Sequence, residues 1–223
     1  MLDDLPIAAF GYSHTLAGGN GDDLDQDSPY SQSTGRLRDL YDRIKGPGDV
    51  IDNIMMAHSL RPHTMEGHMA LYKHVLHNSA NKTPKWFLET IGVWVSLLNG
   101  CDYCAKHHFA GLKRLMRDDE RAQNLLLALE SGKIESAPLS DGEKAALVYA
   151  KALTLTPASL TRDAVTALHK AGFDDGAILE INQVTAYFAY ANRTVLGLGC
   201  STEGDILGLS PGNSDDPDDW GHG

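Results

Sequence analysis

Two cysteines stand three residues apart, Cys101 and Cys104, and a histidine follows at His108. On a helix, at about 100° per residue, Cys104 lies roughly 60° from Cys101 and His108 only about 20° from it. The three therefore share a face. His107 and Tyr103 fall about 120° and 160° away by the same geometry and point elsewhere. A thiolate is a nucleophile, and the free amides and dipole of a helix N-terminus lower a thiol's pKa. Two thiols in one first turn permit a further step. Attack on a peroxide gives a sulfenic acid, which the second thiol converts to a disulfide. An external thiol or dithiol reductant must then reopen that bond by exchange.

The leaving oxygen needs a proton, and the preceding segment offers a carrier. Trp86, Phe87, Leu88, Ile91, Val93, Trp94, Val95, Leu97 and Leu98 would cover most of a helix's circumference, which marks a buried helix. Glu89 is its only charged residue after Lys85. A buried carboxylate is costly, and burial is expected to raise its pKa, which suits proton transfer near neutral pH. If Asn99-Gly100 turns the chain back, Glu89 lies about 15 Å below the turn and His108 about 10 Å below it. The two are nearly level. The expected order is Glu89, His108, dithiol. Gly92 and Ser96 follow on the Glu89 side and would let another helix approach.

The elements that must position these groups are helices. Prolines open segments at 47–58, 62–77 and 84–98, and Asn99-Gly100 stops the last of them. Further helices are predicted over 101–116, 119–130, 141–154, 161–171 and 175–198. In the longest, Ile181, Val184, Phe188, Ala191, Val195 and Leu198 form one apolar stripe. No alternating β-branched run suggests a sheet. The fold class is all-α. Residues 1–35 read as an irregular N-terminal segment, 36–209 as one helical domain, and 210–223 as an acidic tail. That tail holds four Asp and two Pro, and its Trp220 is expected to pack on the body or on a neighbouring subunit.

Composition narrows the partners. A net charge of −11 and a pI near 5.2 argue against nucleic acid and anionic membrane surfaces. No stretch approaches the roughly 20 apolar residues of a membrane span. No basic residue precedes Arg36, so no secretory signal is expected and the setting reads as cytoplasmic. Three cysteines, two of them in one Cys-x-x-Cys, do not make a disulfide framework; that spacing is more often metal-binding or redox-active.

The pattern E-x11-C-x2-C-x3-H, here Glu89, Cys101, Cys104 and His108, resembles the alkylhydroperoxidase D-like branch of the carboxymuconolactone decarboxylase superfamily. The stretch 47–209 is similar in layout to the "peroxidase-related" members, as are AYFAYANRTVLGLG and the ending GLSPGNSDDPDDW. The resemblance implies a compact helical bundle assembling as trimers or hexamers. It also implies reduction of small or alkyl hydroperoxides, with Cys104 attacking and Cys101 resolving, whereas the dipole argument alone favours Cys101. No organic cofactor or metal is required. There is one departure: Tyr103 stands where alkylhydroperoxidase D has a histidine directly before the second cysteine.

Three other readings use the same residues. Cys101, Cys104, His108 and Glu89 offer acceptable zinc ligands, although structural sites usually take their cysteine pair from a turn. A protein thiol–disulfide oxidoreductase would need the dithiol without peroxide chemistry. A non-enzymatic helical interaction protein would carry it as a vestige. His58, His63, His68, His74 and His77 do not share one tight face and read as partly exposed or hydrogen-bonded. Arg193 is expected to pair with a carboxylate of another helix or subunit, and Cys200 to be a small buried residue.

Overall fold

The computed structural model describes residues 27–211 and residue 221. Trp220 and nearly all of the acidic tail lie outside the described residues, as does the N-terminal segment before Asp27. The described chain is all-helical. Its α-helices are α1 (Gly35–Ile44), α2 (Asn53–Met56), α3 (Pro62–Tyr72), α4 (Lys85–Leu98) and α5 (Asp102–Met116). They continue with α6 (Asp119–Glu130), α7 (Asp141–Leu155), α8 (Arg162–Lys170) and α9 (Asp175–Leu198). The expected 62–77 helix is present as α3 prolonged by a π-helical turn, Lys73–His77.

The expected 47–58 helix is not formed. A 3-10 turn occupies Pro47–Asp49, with Gly48 and Asp49 both at positive φ, and extended backbone separates it from the single turn of α2. Two successive left-handed residues cannot continue a right-handed helix.

α4 is the axis of the bundle. Every residue from Phe87 to Ser96 is buried, and α4 packs against α5, α7 and α9. Its all-round apolar surface is the reason, since each side faces another helix. Trp94 buries its ring there and donates Nε1–H to the Leu147 carbonyl at 3.0 Å. The outer helices start on side-chain caps: Asp118 accepts from the Arg121 amide, Asp174 from the Ala177 amide, and Ser140 forms a capping box with Glu143.

The turn between α4 and α5 is a Schellman motif. Gly100 takes φ +69°, its amide reaches Leu97 O at 3.1 Å, and the Cys101 amide reaches Ser96 O at 2.9 Å. The amide that closes α4 thus belongs to the residue that caps α5, so the end of one helix places the first thiol of the next.

Candidate active site

Cys101 is the N-cap of α5, and Cys104 lies one turn in. Both are thiols and both are buried, at 1% and 3% exposure. Their acidities diverge. The Cys104 thiol, donating to Cys101, is the largest influence and lowers the Cys101 pKa; burial opposes it, while the Cys104 backbone amide and the Asn192 side chain assist. No cap hydrogen bond of regular geometry forms at Cys101, so the amide acts through its field. Cys104 shifts the opposite way, raised first by its bond to Cys101 and then by burial. The first thiolate of the pair therefore forms on Cys101, with Cys104 holding the shared proton.

Asn192 was legible only as a polar residue in a packed helix. It is fully buried on α9. Its Oδ1 accepts from Asn99 Nδ2 at 2.9 Å, and its Nδ2 donates to Ser96 Oγ at 3.1 Å. That fixes the amide facing both sulfurs. The small residues on α4 make this approach possible. A Cβ at Gly92 would lie 2.3 Å from the Phe188 ring, and that ring also meets His108 edge-on at 4.5 Å.

Glu89 and His108 are joined across the hairpin: Glu89 Oε2 lies 2.7 Å from His108 Nδ1. The expectation that Glu89 has a raised pKa is overturned. Burial is the largest single influence and pushes the carboxyl up, but the His108 charge and hydrogen bond, with His77 and Lys85, outweigh it and hold it below its ordinary value. Glu89 is an ionised partner that orients His108.

His107 does not stand apart. Glu89, His108 and Cys104 line one pocket, and His107 and Tyr103 line it too, whereas Cys101 does not. His107 Nε2 lies 3.1 Å from Asp205 Oδ2, and Tyr103 donates its hydroxyl to the same oxygen at 2.6 Å. The two rings stack at 4.5 Å. Asp205 also accepts from the Asn53 amide, at 3.0 and 3.2 Å. It sits on the segment after α9, which is pinned further by Asn53 Nδ2 to the carbonyls of Ser201 and Glu203, and by Arg114 to Ser210. Gly208 of that segment lies so close to Ala110 that a Cβ would come within 2.9 Å of its methyl. The strap so formed closes one side of the pocket.

The remaining walls are apolar and aromatic. Tyr72 and Tyr187 stack at 5.7 Å, and His68 packs on both. His58, His68 and His77 are buried; His58 Nδ1 lies 3.0 Å from Thr64 Oγ1 and His68 Nε2 lies 3.4 Å from the Tyr187 hydroxyl, as the hydrogen-bonded reading expects, whereas His77 has no hydrogen bond at either ring nitrogen. Burial pushes His68 down to about 3 and His77 to about 4, so both are neutral. Arg193 bonds its own helix, at Ala189 O. Cys200 is buried in the small cluster that holds the dithiol.

The four proposed zinc ligands do not converge. Among the described residues, the one set of three or more ligand atoms within 4.8 Å of one another is Asp52, His107 and Asp205. There Asp205 already accepts from three donor groups, so the trio is a hydrogen-bonded cluster rather than a vacant ligand set.

No protein-family model matches the chain, and no curated protein sequence does. Solved structures do. An uncharacterized peroxidase-related protein from Silicibacter sp. TM1040 is similar with a TM-score of 0.70 at 21% identity, over 84% of this chain and 94% of that one. An alkylhydroperoxidase D core, an uncharacterized peroxidase-related protein from Ralstonia eutropha JMP134, gives 0.62 at 22% identity, over 74% and 82%. The debrominase Bmp8 gives 0.60 at 20% identity, over 74% and 85%. The chain has the alkylhydroperoxidase D-like fold of the peroxidase-related proteins.

Proposed function

We propose that this protein is a thiol-dependent hydroperoxide reductase. The observation that carries the reading is the buried Glu89–His108 pair at 2.7 Å, opening on a pocket whose wall includes the Cys104 thiol. Cys104 faces the pocket and is the attacking sulfur. For the attack the shared proton shifts onto Cys101, which lies behind it, and leaves the thiolate on Cys104 as the minor form of the pair. The Cys104 thiolate bonds to the outer oxygen of the hydroperoxide, and the O–O bond breaks. Cys101 then closes the disulfide and releases water. Two thiols and one hydroperoxide become a disulfide, an alcohol and water.

Burial of both sulfurs weighs against a protein disulfide as the substrate. The same burial selects a slender external thiol or dithiol as reductant. Among the described residues no helix is long and apolar enough to cross a membrane, and the reading places the enzyme in the cytoplasm as a trimer or hexamer. An exposed stripe on α9, Leu179, Ala186 and Tyr190, supports the assembly. A second reading, reductive removal of bromine from a flat ring, is favoured by the stacked tyrosines beside Cys104 and by the likeness to a debrominase. There two thiols and an aryl bromide become a disulfide, the hydrogen-substituted ring and hydrogen bromide.

The test is rapid mixing of reduced protein with a panel of hydroperoxides and with 2,3,4-tribromopyrrole, following disulfide by mass. Oxidation by hydroperoxide that is lost in Cys104→Ser and slowed in Glu89→Gln supports the first reading. Thiols that survive every hydroperoxide overturn it, and bromide release would then carry the second.

A further inference from the structure

The reaction above needs two protons at two moments: one for the alkoxide that leaves when the O–O bond breaks, one for the hydroxide that leaves when the disulfide closes. Glu89–His108 accounts for one carrier. The pocket holds a second imidazole built in the same way. His107 is fixed at Nε2 by a carboxylate whose side chain is 1% exposed, as His108 is fixed at Nδ1 by Glu89. Each histidine is thus held at one nitrogen and lines the pocket. The carboxylates come from opposite sides, Glu89 from α4 and Asp205 from the strap after α9.

Resting on the hydroperoxide reading, we infer that His107, oriented by Asp205 and Tyr103, is a second acid of this site and protonates the leaving alkoxide. Asp205 is itself held in place, accepting from the Asn53 amide and the Tyr103 hydroxyl, and so fixes the ring of His107. Asp52 adds a second negative group within 4.8 Å. His108, Glu89 and Cys104 line the same pocket as His107. Tyr103 does not transfer the proton. Burial first, and then Asp205, push its pKa up, so its hydroxyl stays a donor. It fills the place where the resembled family has a histidine, and acts by fixing the Asp205 oxygen that His107 uses.

The step balances as follows. Cys104 sulfur forms a bond to the outer oxygen, and the O–O bond breaks with its electron pair on the inner oxygen. His107 delivers a proton to that oxygen, giving the alcohol. Cys101 sulfur, its proton taken up by His108, then displaces hydroxide from Cys104, and His108 returns that proton to give water. The two sulfurs lose two electrons and the peroxide gains them.

Leaving-group dependence tests this. tert-Butyl hydroperoxide must expel a strongly basic alkoxide, whereas peracetic acid expels acetate, which needs no proton. For His107→Asn we expect a loss of about 100-fold or more with tert-butyl hydroperoxide, the scale of general acid catalysis. With peracetic acid the loss should stay below about threefold. Asp205→Asn should show the same contrast in milder form and covers the case in which His107→Asn folds poorly. Equal losses on both oxidants would overturn the assignment of His107 while leaving the hydroperoxide reading standing. A wild-type protein whose thiols survive both oxidants would overturn that reading, and this inference with it.

Discussion

The closeness of α4 and α9 can be tested by one methyl group at Gly92. A Cβ built there lies 2.3 Å from both Cε2 and Cζ of Phe188, far inside van der Waals contact. Phe188 is fully buried and braced by Tyr187 and His108, so it has nowhere to swing. Overpacking of this kind costs up to about 3 kcal/mol. Replacing glycine by alanine inside a helix returns about 1 kcal/mol. The net for Gly92→Ala is a loss of about 2 kcal/mol, and at this chain length a Tm drop of about 4–8 °C. Gly67 supplies the control. It is an exposed position inside α3, and a Cβ there would meet nothing within 4 Å. Gly67→Ala gains the helix term alone and should raise Tm by about 2–4 °C. Calorimetry of both variants reads the two signs directly. If Gly92→Ala melts at or above the wild-type temperature, α9 is not seated on α4 through this glycine. The placement of Phe188 against His108 would then be wrong as well.

Three further outcomes are expected. Cys101→Ser should stop the reaction after its first step, leaving one oxygen on Cys104 that mass spectrometry and a sulfenate-trapping dione both detect; oxidation at neither sulfur would exclude Cys104 as the attacking thiol. Asn192→Ala removes an amide that favours both thiolates, so the ultraviolet thiolate titration should move to higher pH, and an unmoved midpoint would remove Asn192 from the site. His77 is neutral in the fold, with a pKa of about 4 against an ordinary 6.5. Acid protonates the unfolded chain first, so stability should begin to fall below pH 6.5 and lose about 3 kcal/mol by pH 4 through this residue. Urea unfolding across that range should show the loss in wild type and a flatter profile in His77→Leu.

Much of the fold was legible because its signals are local. Helices over 119–130 and 175–198 match prediction to the residue, each opened by an aspartate cap and patterned by one apolar stripe. The 47–58 segment misled because its proline looks like a helix start, while Gly48 and Asp49 turn the backbone left-handed immediately after it. His77 misled for a different reason. Sequence spacing shows that the histidines share no metal face, but only tertiary packing reveals that His77 is buried edge-on against the Tyr72 ring with no polar partner.

The two carboxylate–imidazole pairs differ in legibility for one physical reason. α5 carries two parallel rows one helical step long, Cys104 with His108 and Tyr103 with His107, and both rows follow from 3.6 residues per turn. What gives each row its chemistry is a carboxylate from elsewhere. Glu89 comes from the other arm of a tight hairpin, where rise per residue alone sets the level, so its partner could be computed. Asp205 comes from 98 residues beyond His107, on an irregular strap whose path no periodicity fixes. Asn192 lies between these cases. It stands four residues after Phe188, on the apolar stripe of α9, and a polar amide on a buried stripe must find partners. Its position on the helix was readable, whereas its partners Ser96 and Asn99 depended on how α9 crosses α4. Legibility thus ended where positioning passed from helix geometry to a segment held only by its own side-chain bonds.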